Sequence, residues 1–413
     1  MIRIPKGTKD VLPEESYKWH YVEDQIRKVT SLYNIKEIRT PTFEHTELFA
    51  RGVGETTDVV NKEMYTFLDR SERSITLKPE GTAGCARSFI ENNLQNYLPL
   101  RTYYITPVFR YEKPQAGRLR EHHQFGVEYY GLDTPEADAE VISVAHTLFK
   151  KLGLSPKLYI NSIGCSKCRQ TYHGALKAYL FENVDKLCPT CQERLEKNPL
   201  RVLDCKVPTC KELLLDAPSV LDYLCDDCRT YHDGVKHNLD LLGIEYKENP
   251  KIVRGLDYYT RTVFEFISEG LGSQDTVCGG GRYNNLVESL GGKPVSAVGF
   301  GMGIERLLLT VEALGVKIEN DEKPKVYVCN ASEKDFCITL VGELRDAGVS
   351  ALTEYGEKSI KSQMKYADKI GANYTLVVGS REIETNTVTV KNMLDGTSEE
   401  IALNNVVEYL KRR

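Results

Sequence analysis

A long polar loop between two strand patterns sets the first constraint on the fold. The segments Thr102–Glu112 and Gln124–Tyr130 read as strands, and KPQAGRLREHH lies between them. Two such segments in succession predict an antiparallel hairpin with an unusually long connection. The connection carries side chains suited to a triphosphate or a nucleic-acid backbone, namely Lys113, Arg118, Arg120, His122 and His123.

The hairpin can bring four polar side chains together. Residues two apart on a strand share a face, so Arg110 and Glu112 point the same way on one strand, and Gln124 and Glu128 on the other. A guanidinium can hold a phosphate through two parallel hydrogen bonds, and carboxylates can hold Mg²⁺ or an ammonium group. A solvated face with surface ion pairs explains the spacing about equally well, so the spacing alone leaves both hypotheses open.

The patterns around the hairpin predict a mixed α and β core. Apolar residues recur every three or four positions in residues 14–33, which is typical of an amphipathic helix. Further helices are predicted from about residue 82 and at Pro135–Leu152, and strands at Ile35–Arg39, Ser74–Leu77 and Thr262–Ile267. This core is predicted to comprise residues 1–162 and 246–320, with residues 163–245 as an inserted helical module.

The end of the chain follows a different pattern. Asp321–Lys325 is charged and contains a proline, which is typical of a linker. Beyond it, the strand patterns Lys325–Cys329, Tyr374–Gly379 and Thr387–Lys391 alternate with helical segments. Residues 323–413 are therefore predicted to form a small α/β domain.

Three glycine-containing segments are candidate binding elements. RGLDYY begins at Arg254, just before a predicted strand, and combines an arginine, an aspartate and two tyrosines. GGGRY at 279–283 is predicted to be a glycine-rich turn that lets the backbone approach a ligand closely. GFGMGIER at 299–306 is a strand that leads into a helix with Arg306 in its first turn. A strand entry, a tight turn and an arginine packed on a carboxylate are the ordinary alternatives.

Composition narrows the class of protein. The 413 residues correspond to two or three domains at roughly 150 residues each. The net charge of −5 argues against a generic nucleic-acid coat, but a local basic patch can still bind nucleic acid. The sequence has no apolar run of membrane-spanning length and no apolar leader at its N-terminus. We therefore expect a cytosolic protein.

These segments together resemble the class II aminoacyl-tRNA synthetases. The strand that ends at Pro41 resembles the first motif of that class, FRYE at 109–112 with Glu128 resembles the second, and GFGMGIER resembles the third. PEGT at 79–82, RGLDYY and GGGRY resemble segments of one family, the histidyl-tRNA synthetases. The resemblance implies an antiparallel catalytic sheet flanked by helices, a homodimer, and a C-terminal domain that binds the anticodon.

The resemblance also implies substrates and residue roles. The substrates would be histidine, ATP with Mg²⁺, and the histidine-accepting tRNA. The implied catalytic residues are Arg254, Arg110 and Arg306. The implied ATP-binding residues are Arg110, Glu112, Arg118 and Arg306. The implied histidine-binding residues are Glu80, Gly81, Thr82, Arg110, Gln124, Glu128, Arg254, Tyr258 and Tyr259. The ring that stacks on adenine is expected to be His122 or Phe125.

Other interpretations of the motifs stay open. A non-catalytic regulatory subunit of histidine biosynthesis resembles the same catalytic core, but that family lacks the C-terminal domain. A tRNA-binding scaffold with an inactive site is a second alternative. Another class II ligase would share the second and third motifs but not RGLDYY.

Eight of the 12 cysteines lie in the predicted insertion. In a reducing cytosol they indicate metal ligands or free thiols before disulfides. Three of their four pairs have C-x₂-C spacing, which lets two thiolates bind one tetrahedral ion. Two Cys₄ zinc sites, one site with spare thiols, and thiols without metal are all compatible with this pattern. The candidate ligands are Cys165, Cys168, Cys188, Cys191, Cys205, Cys210, Cys225 and Cys228.

Overall fold

The computed structural model describes residues 2–54, 57–115, 117–203, 205, 207–252, 254–268, 275–320 and 322–413. They form two compact units, residues 1–318 and 319–413. The predicted linker at Asp321–Lys325 includes Asp321, which lies outside the described residues. Within the described ranges, no helix is both long and apolar enough to cross a membrane.

The first unit is built on an eight-stranded sheet and a smaller three-stranded sheet. The strands are β1 (Lys36–Glu37), β2 (Phe43–His45), β3 (Tyr65–Leu68), β4 (Ser74–Leu77), β5 (Leu100–Phe109), β6 (Glu121–Tyr130), β7 (Lys157–Ser162), β8 (Tyr246–Glu248), β9 (Thr260–Ile267), β10 (Thr276–Arg282) and β11 (Ala297–Gly303). The large sheet has the order β1-β5-β6-β11-β10-β9-β7-β8. It is antiparallel except at its two edges, where β1 joins β5 and β8 joins β7 in parallel.

Helices cover the sheet because their apolar residues fall on one stripe. In the first unit these are α1 (Pro13–Leu32), α2 (Thr46–Val53), α3 (Thr82–Glu91), α4 (Pro135–Lys151), α5 (Ser166–Glu182), α6 (Pro189–Lys197), α7 (Pro208–Leu213), α8 (Asp226–Leu241), α9 (Leu286–Ser289) and α10 (Ile304–Ala313). Val22, Ile26 and Val29 of α1 lie in the same buried cluster as Ile142 and Leu148 of α4. Residues 163–245 lie in sequence between β7 and the edge strand β8 and contain α5 to α8.

The second unit is a five-stranded sheet with helices. Its elements are β12 (Val326–Asn330), α11 (Lys334–Asp346), β13 (Ala351–Thr353), α12 (Ile360–Lys369), β14 (Tyr374–Val378), α13 (Ser380–Thr385), β15 (Thr387–Asn392), β16 (Ser398–Ala402) and α14 (Val406–Arg412). The strand order is β13-β12-β14-β15-β16, parallel in the first three strands and antiparallel in the last two pairs. The predicted fold class, an α+β core with an α/β C-terminal domain, is confirmed.

The glycine-rich turn predicted at 279–283 is wrong. Residues 276–282 form β10, a strand in the interior of the large sheet between β9 and β11. A Cβ on Gly280 would lie 2.2 Å from the Gly299 carbonyl oxygen, so glycine here permits close strand packing.

The bounds of the predicted hairpin also differ from those observed. β5 ends at Phe109, before Arg110 and Glu112, while β6 begins at Glu121, earlier than predicted. The ladder stops because the Tyr111 N–H donates to the Glu63 carbonyl, away from β6. Arg110 and Glu112 therefore lie at the mouth of the hairpin, and the strand alternation does not fix their directions.

Candidate functional site

A polar cleft of about 300 Å³ lies over β6, β10 and β11. This size is at the lower end of the range for small-molecule sites. Its described lining residues include Arg110, Glu112, Gly117, Arg118, Leu119, His122, Gln124, Arg254, Glu265, Thr276, Val277, Cys278, Gly279, Gly301, Gly303, Glu305 and Arg306.

Three guanidinium groups give the cleft a positive wall. Arg110 donates to the Pro79 carbonyl at 2.8 Å, and Arg118 pairs with Glu112. Arg306, on α10, donates to the Thr276 carbonyl at 2.6 Å and to the Gly117 carbonyl at 3.1 Å. Burial, and then the charges of Arg118 and Arg110, lower the pKa of Arg306. Like charges held this close favour an anionic ligand between them.

Arg254 supplies a fourth positive charge to the cleft. Its Nη1 donates to Glu265 on β9 at 2.5 Å. Glycine on the neighbouring strand lets the guanidinium take this position, because a Cβ on Gly279 would lie 2.6 Å from Arg254 Nη1. The first glycine of GGGRY therefore makes room for the arginine of RGLDYY.

A buried carboxyl group, Glu128 on β6, is the centre of a second polar group beside the cleft. It accepts hydrogen bonds from the hydroxyls of Thr82 at 2.7 Å and Tyr104 at 3.2 Å, and from Tyr283. The Glu128 side chain is fully buried. Burial raises the pKa of Glu128 to about 8, because a charged carboxylate is poorly solvated there.

The glycines of β11 leave space for two side chains of β6. A Cβ on Gly299 would collide with Glu128, and one on Gly301 would lie 2.4 Å from Gln124 Nε2. Gln124 also accepts a hydrogen bond from the Gly81 N–H at 3.0 Å. The alternation of glycines in GFGMG thus matches the alternation of polar residues on the paired strand.

Glu80 has a local structural role in this structure. Its two carboxylate oxygens accept from the N–H groups of Thr82 at 2.8 Å and Ala83 at 2.7 Å, at the start of α3. A carboxylate is a good acceptor for the free N–H groups of a first helical turn. Burial nevertheless raises its pKa.

Three tyrosines form an aromatic cluster next to Glu128. The ring centroids of Tyr258 and Tyr259 lie 4.7 Å apart, and those of Tyr258 and Tyr283 lie 5.5 Å apart. Arg254 lies 5.7 Å from the Tyr259 ring. RGLDYY and GGGRY, which are distant in sequence, therefore meet at one place.

The structure distinguishes the two candidate aromatic residues. His122 lines the cleft, whereas Phe125 points to the opposite face of the sheet and packs on Phe300 in the core. Burial, and then the charges of Arg110 and Arg306, lower the pKa of His122 to about 3. Its imidazole is therefore neutral at physiological pH.

Three further loop residues that the sequence analysis singled out, Lys113, Arg120 and His123, do not line the cleft. Arg120 stacks over the Tyr111 ring at 3.8 Å, and Lys113 is exposed. The His123 ring contacts Glu305 at 3.0 Å, and this hydrogen bond raises its pKa. Ala116 of the loop lies outside the described residues.

Tyr104, Glu265 and Glu305 also belong to the site, although the sequence motifs did not predict them. Each of these three residues has only a weak signal in the sequence. Tyr104 shares a strand face with Thr102, and Glu265 is a charged residue in the apolar strand RTVFEFI. Glu305 precedes Arg306 in GFGMGIER but accepts from the His123 N–H at 2.9 Å, across the loop.

The eight cysteines of residues 163–245 form two separate groups of four, and within each group all sulfur atoms lie within 4.8 Å of one another. One group combines Cys165 and Cys168 of the α5 start with Cys225 and Cys228 of the α8 start. The other combines Cys188, Cys191, Cys205 and Cys210. Both groups lie apart from the lining of the cleft.

Two family models match the chain. A model described as histidyl-tRNA synthetase matches residues 7–166 and 206–307, which together exceed half of the chain. A model described as an anticodon binding domain matches residues 325–413, within the second compact unit.

Individual relatives match over the full length. A histidine–tRNA ligase of Caldanaerobacter subterraneus subsp. tengcongensis is 54% identical, with 100% of both chains covered. The crystal structure of apo histidyl-tRNA synthetase from S. aureus is 42% identical, with a TM-score of 0.84 and 100% of both chains covered. A Bacillus halodurans structure described as an ATP phosphoribosyltransferase regulatory subunit/histidyl-tRNA synthetase is 23% identical. Its TM-score is 0.65, with 92% of this chain and 99% of that chain covered, and this likeness concerns the fold alone.

Proposed function

The chain belongs to the histidyl-tRNA synthetase family and is a histidine–tRNA ligase, and we propose that the polar cleft is where it activates histidine with ATP. In this reaction a histidine carboxylate oxygen attacks the α-phosphorus of ATP, histidyl-adenylate forms, and pyrophosphate leaves. The adenylate then passes its histidyl group to the 3′ end of the tRNA. The observation that carries the placement is the convergence of four arginines beside a buried carboxyl pocket.

The arginines address the main obstacle to adenylation. A carboxylate and a phosphate repel each other, so the site must supply fixed positive charge where the two meet. Arg110, Arg118 and Arg306 would hold the phosphates, and Arg254 would face the carboxylate and the α-phosphate. Because these groups are already held by backbone carbonyls or carboxylates, little reorganisation is required when the charge develops.

The buried pocket would select histidine. Glu128, Gln124 and Thr82 present acceptors and donors for the α-ammonium group and the imidazole, and Tyr258 and Tyr259 would close over the ring. Glu80 would act with them, through the α3 start that it caps. A site whose polar groups need partners rejects apolar side chains of similar size strongly.

Adenine and Mg²⁺ would occupy the outer part of the cleft. Of the two aromatic candidates, His122 lines this region and would stack on adenine. Glu112 and Glu305 line the cleft beside the arginines, and their carboxylate oxygens are the ligand type that Mg²⁺ prefers. When bound, Mg²⁺ neutralises phosphate charge.

The proposal also concerns tRNA binding, the homodimer and the cellular location of the enzyme. Residues 323–413 would bind the anticodon arm of the tRNA, and residues 163–245 would lie over its acceptor arm. The segment from β1 to Pro41, where the sequence predicted a longer strand, would contribute to a homodimer interface, and the enzyme would act in the cytoplasm. Structural zinc in the insertion would take no step in adenylation, because a Cys₄ site has no open coordination position.

Histidine-dependent ATP–pyrophosphate exchange tests the proposal directly. We expect exchange with histidine and only background exchange with the other amino acids. A regulatory subunit or an inactive tRNA-binding scaffold would give no exchange with any amino acid, and that result would refute the proposed site. The anticodon-binding match over residues 325–413 favours the ligase over the regulatory subunit.

A further inference from the structure

The geometry of the insertion points to two independent structural zinc sites that brace the loop carrying Arg254. We propose that Cys165, Cys168, Cys225 and Cys228 bind one ion and that Cys188, Cys191, Cys205 and Cys210 bind the other. The brace is formed by two arginines of the insertion, Arg169 and Arg201. The part of this inference that concerns the loop rests on the proposed function, whereas the part that concerns zinc does not.

The sulfur separations fit tetrahedral zinc. Zinc–sulfur bonds of about 2.3 Å place neighbouring ligands of a tetrahedron about 3.8 Å apart. The measured Sγ–Sγ distances are 3.6 Å for Cys165–Cys168, 4.0 Å for Cys165–Cys225 and 3.8 Å for Cys188–Cys205. All eight cysteines are free thiols in this structure.

The surroundings of the sulfur atoms suit thiolate ligands. The Cys225 N–H donates to Cys168 Sγ at 3.1 Å, and the Cys188 N–H donates to Cys210 Sγ at 3.2 Å. Such backbone donors stabilise the charge on metal-bound sulfur. Cys165, Cys188 and Cys225 also directly precede helices, where the helix dipole favours negative charge.

The location of each group explains what an ion would stabilise. The first ion would join the starts of α5 and α8, which are far apart in sequence. The second would join the start of α6 to α7, next to an apolar cluster that includes Leu176, Leu195 and Val202. This cluster already gives the insertion an apolar core, so zinc would fix the arrangement of the helices and would not replace the core.

Near each of the two cysteine groups, an arginine of the insertion contacts the loop that carries Arg254. Arg169, one turn after Cys165, donates to the Tyr259 carbonyl at 3.3 Å. Arg201, four residues before Cys205, donates to the Gly255 carbonyl at 2.8 Å and pairs with Asp257 at 3.0 Å. The order of the loop thus depends on helix positions that the two ions would set.

Metal content of the full-length protein, purified without added metal, tests the zinc sites. We expect about two zinc ions per chain, and about one in Cys168→Ser and in Cys210→Ser. Cys337→Ser, in the second unit, is the matched control and should keep both. Less than one zinc for every two chains of unmodified protein, with the thiols fully titratable in the native state, would overturn the proposal. So would the loss of both ions from either single variant.

A second test of the zinc sites uses the unmodified protein and so does not depend on whether the cysteine variants fold. Cobalt added to metal-free full-length protein should give the thiolate-to-cobalt charge-transfer and visible bands of a tetrahedral tetrathiolate, at about two cobalt ions per chain. A spectrum of octahedral cobalt would overturn the proposal. Neither metal measurement depends on histidine activation, so failure here and failure of the proposed function are distinguishable.

The brace is tested by the Michaelis constants of full-length Arg201→Gln. We expect the KM for histidine to rise roughly tenfold, while kcat and the KM for ATP change less than about twofold. A merely structural role would lower the amount of active enzyme and leave both KM values unchanged. That result, or an equal rise in the two KM values, would refute the brace. Lys177→Gln, which removes an exposed positive charge on α5, is the control.

Discussion

The two larger sheets of this protein bury different kinds of side chain. In the described part of the eight-stranded sheet, Glu128 and Arg282 are fully buried ionisable groups. The five-stranded sheet of the second unit buries mainly apolar residues, such as Val328, Val378 and Val388. Both sheets are covered by helices, so the difference does not follow from architecture alone.

The difference between the two sheets shows where the protein buries groups whose burial is unfavourable for stability. Burying an ionisable side chain is unfavourable unless hydrogen bonds or an opposite charge compensate for the lost hydration. In the large sheet, Arg282 is compensated by Asp138 of α4, and Glu128 by three hydroxyl groups. The polar interior of the large sheet lies beside the cleft, whereas the interior of the second unit is a conventional apolar core.

The largest expected effect comes from breaking the buried ion pair. Asp138→Ala leaves the guanidinium of Arg282 buried without its closest partner, which should lower the free energy of unfolding by about 3–5 kcal/mol. Urea-induced unfolding measures this loss in the free energy of unfolding. Asp133→Ala is the matched control, because Asp133 contacts the same arginine at 3.3 Å but is half-exposed, and it should cost less than about 1 kcal/mol. Equal losses would show that burial does not set the cost.

Arg254→Ala should nearly abolish histidine adenylation while leaving the fold intact. A donor that stabilises transition-state charge contributes roughly 3–4 kcal/mol, or 10²–10³ in rate. Pyrophosphate exchange measures the rate, and circular dichroism checks the fold. Arg101→Ala, on β5 but paired with Glu140 away from the cleft, is the control. Exchange within about threefold of the unmodified enzyme would contradict the role of Arg254.

Glu128→Gln should weaken histidine binding by about 1.5–3 kcal/mol, because an amide cannot carry the charge that holds a cation. The pKa of Glu128 is about 8 in the free site. At neutral pH, Glu128 must therefore lose its proton when histidine binds. Affinity should therefore rise as the pH passes through about 8 and level off about one unit above that value. Calorimetric titration across this range measures both effects.

Two observations can contradict that expectation for Glu128. The first is an equal pH dependence in Glu128→Gln, which would assign the titration to another group. The second is an equal loss of affinity in Glu140→Gln, a half-buried carboxylate of α4 that does not line the cleft.

The smallest effect on adenylation is expected from removing the second unit. A chain that ends at Asn320 keeps every residue assigned to the cleft and should exchange pyrophosphate normally. Aminoacylation should fall by roughly tenfold or more, which corresponds to a loss of at least about 1.4 kcal/mol of tRNA binding. Unchanged aminoacylation would refute the tRNA-binding role. Size-exclusion chromatography would show whether the truncated chain still forms a dimer, so that an effect of dimer loss is separated from an effect on tRNA binding.

Much of the fold followed from local sequence patterns. The helices at Pro13–Leu32 and Pro135–Lys151 and the strand at Ser74–Leu77 agree with their predictions within a residue or two. In each case hydrophobic periodicity and a helix-starting proline or a short apolar run act over neighbouring residues. β10 was predicted as a turn because glycine has a low strand propensity, and packing against Gly299 and Arg254 overrides that propensity.

The sequence by itself determined the family, the strand-to-helix passage before Arg306, and the cysteine pairs, because these depend on residue type and spacing. Only the tertiary structure decided which groups meet. It placed His122 on the cleft and Phe125 in the core, turned the Glu80 carboxylate towards the start of α3, and divided eight cysteines into two groups. Each of these depends on contacts between segments far apart in the chain, whose directions a local pattern does not specify.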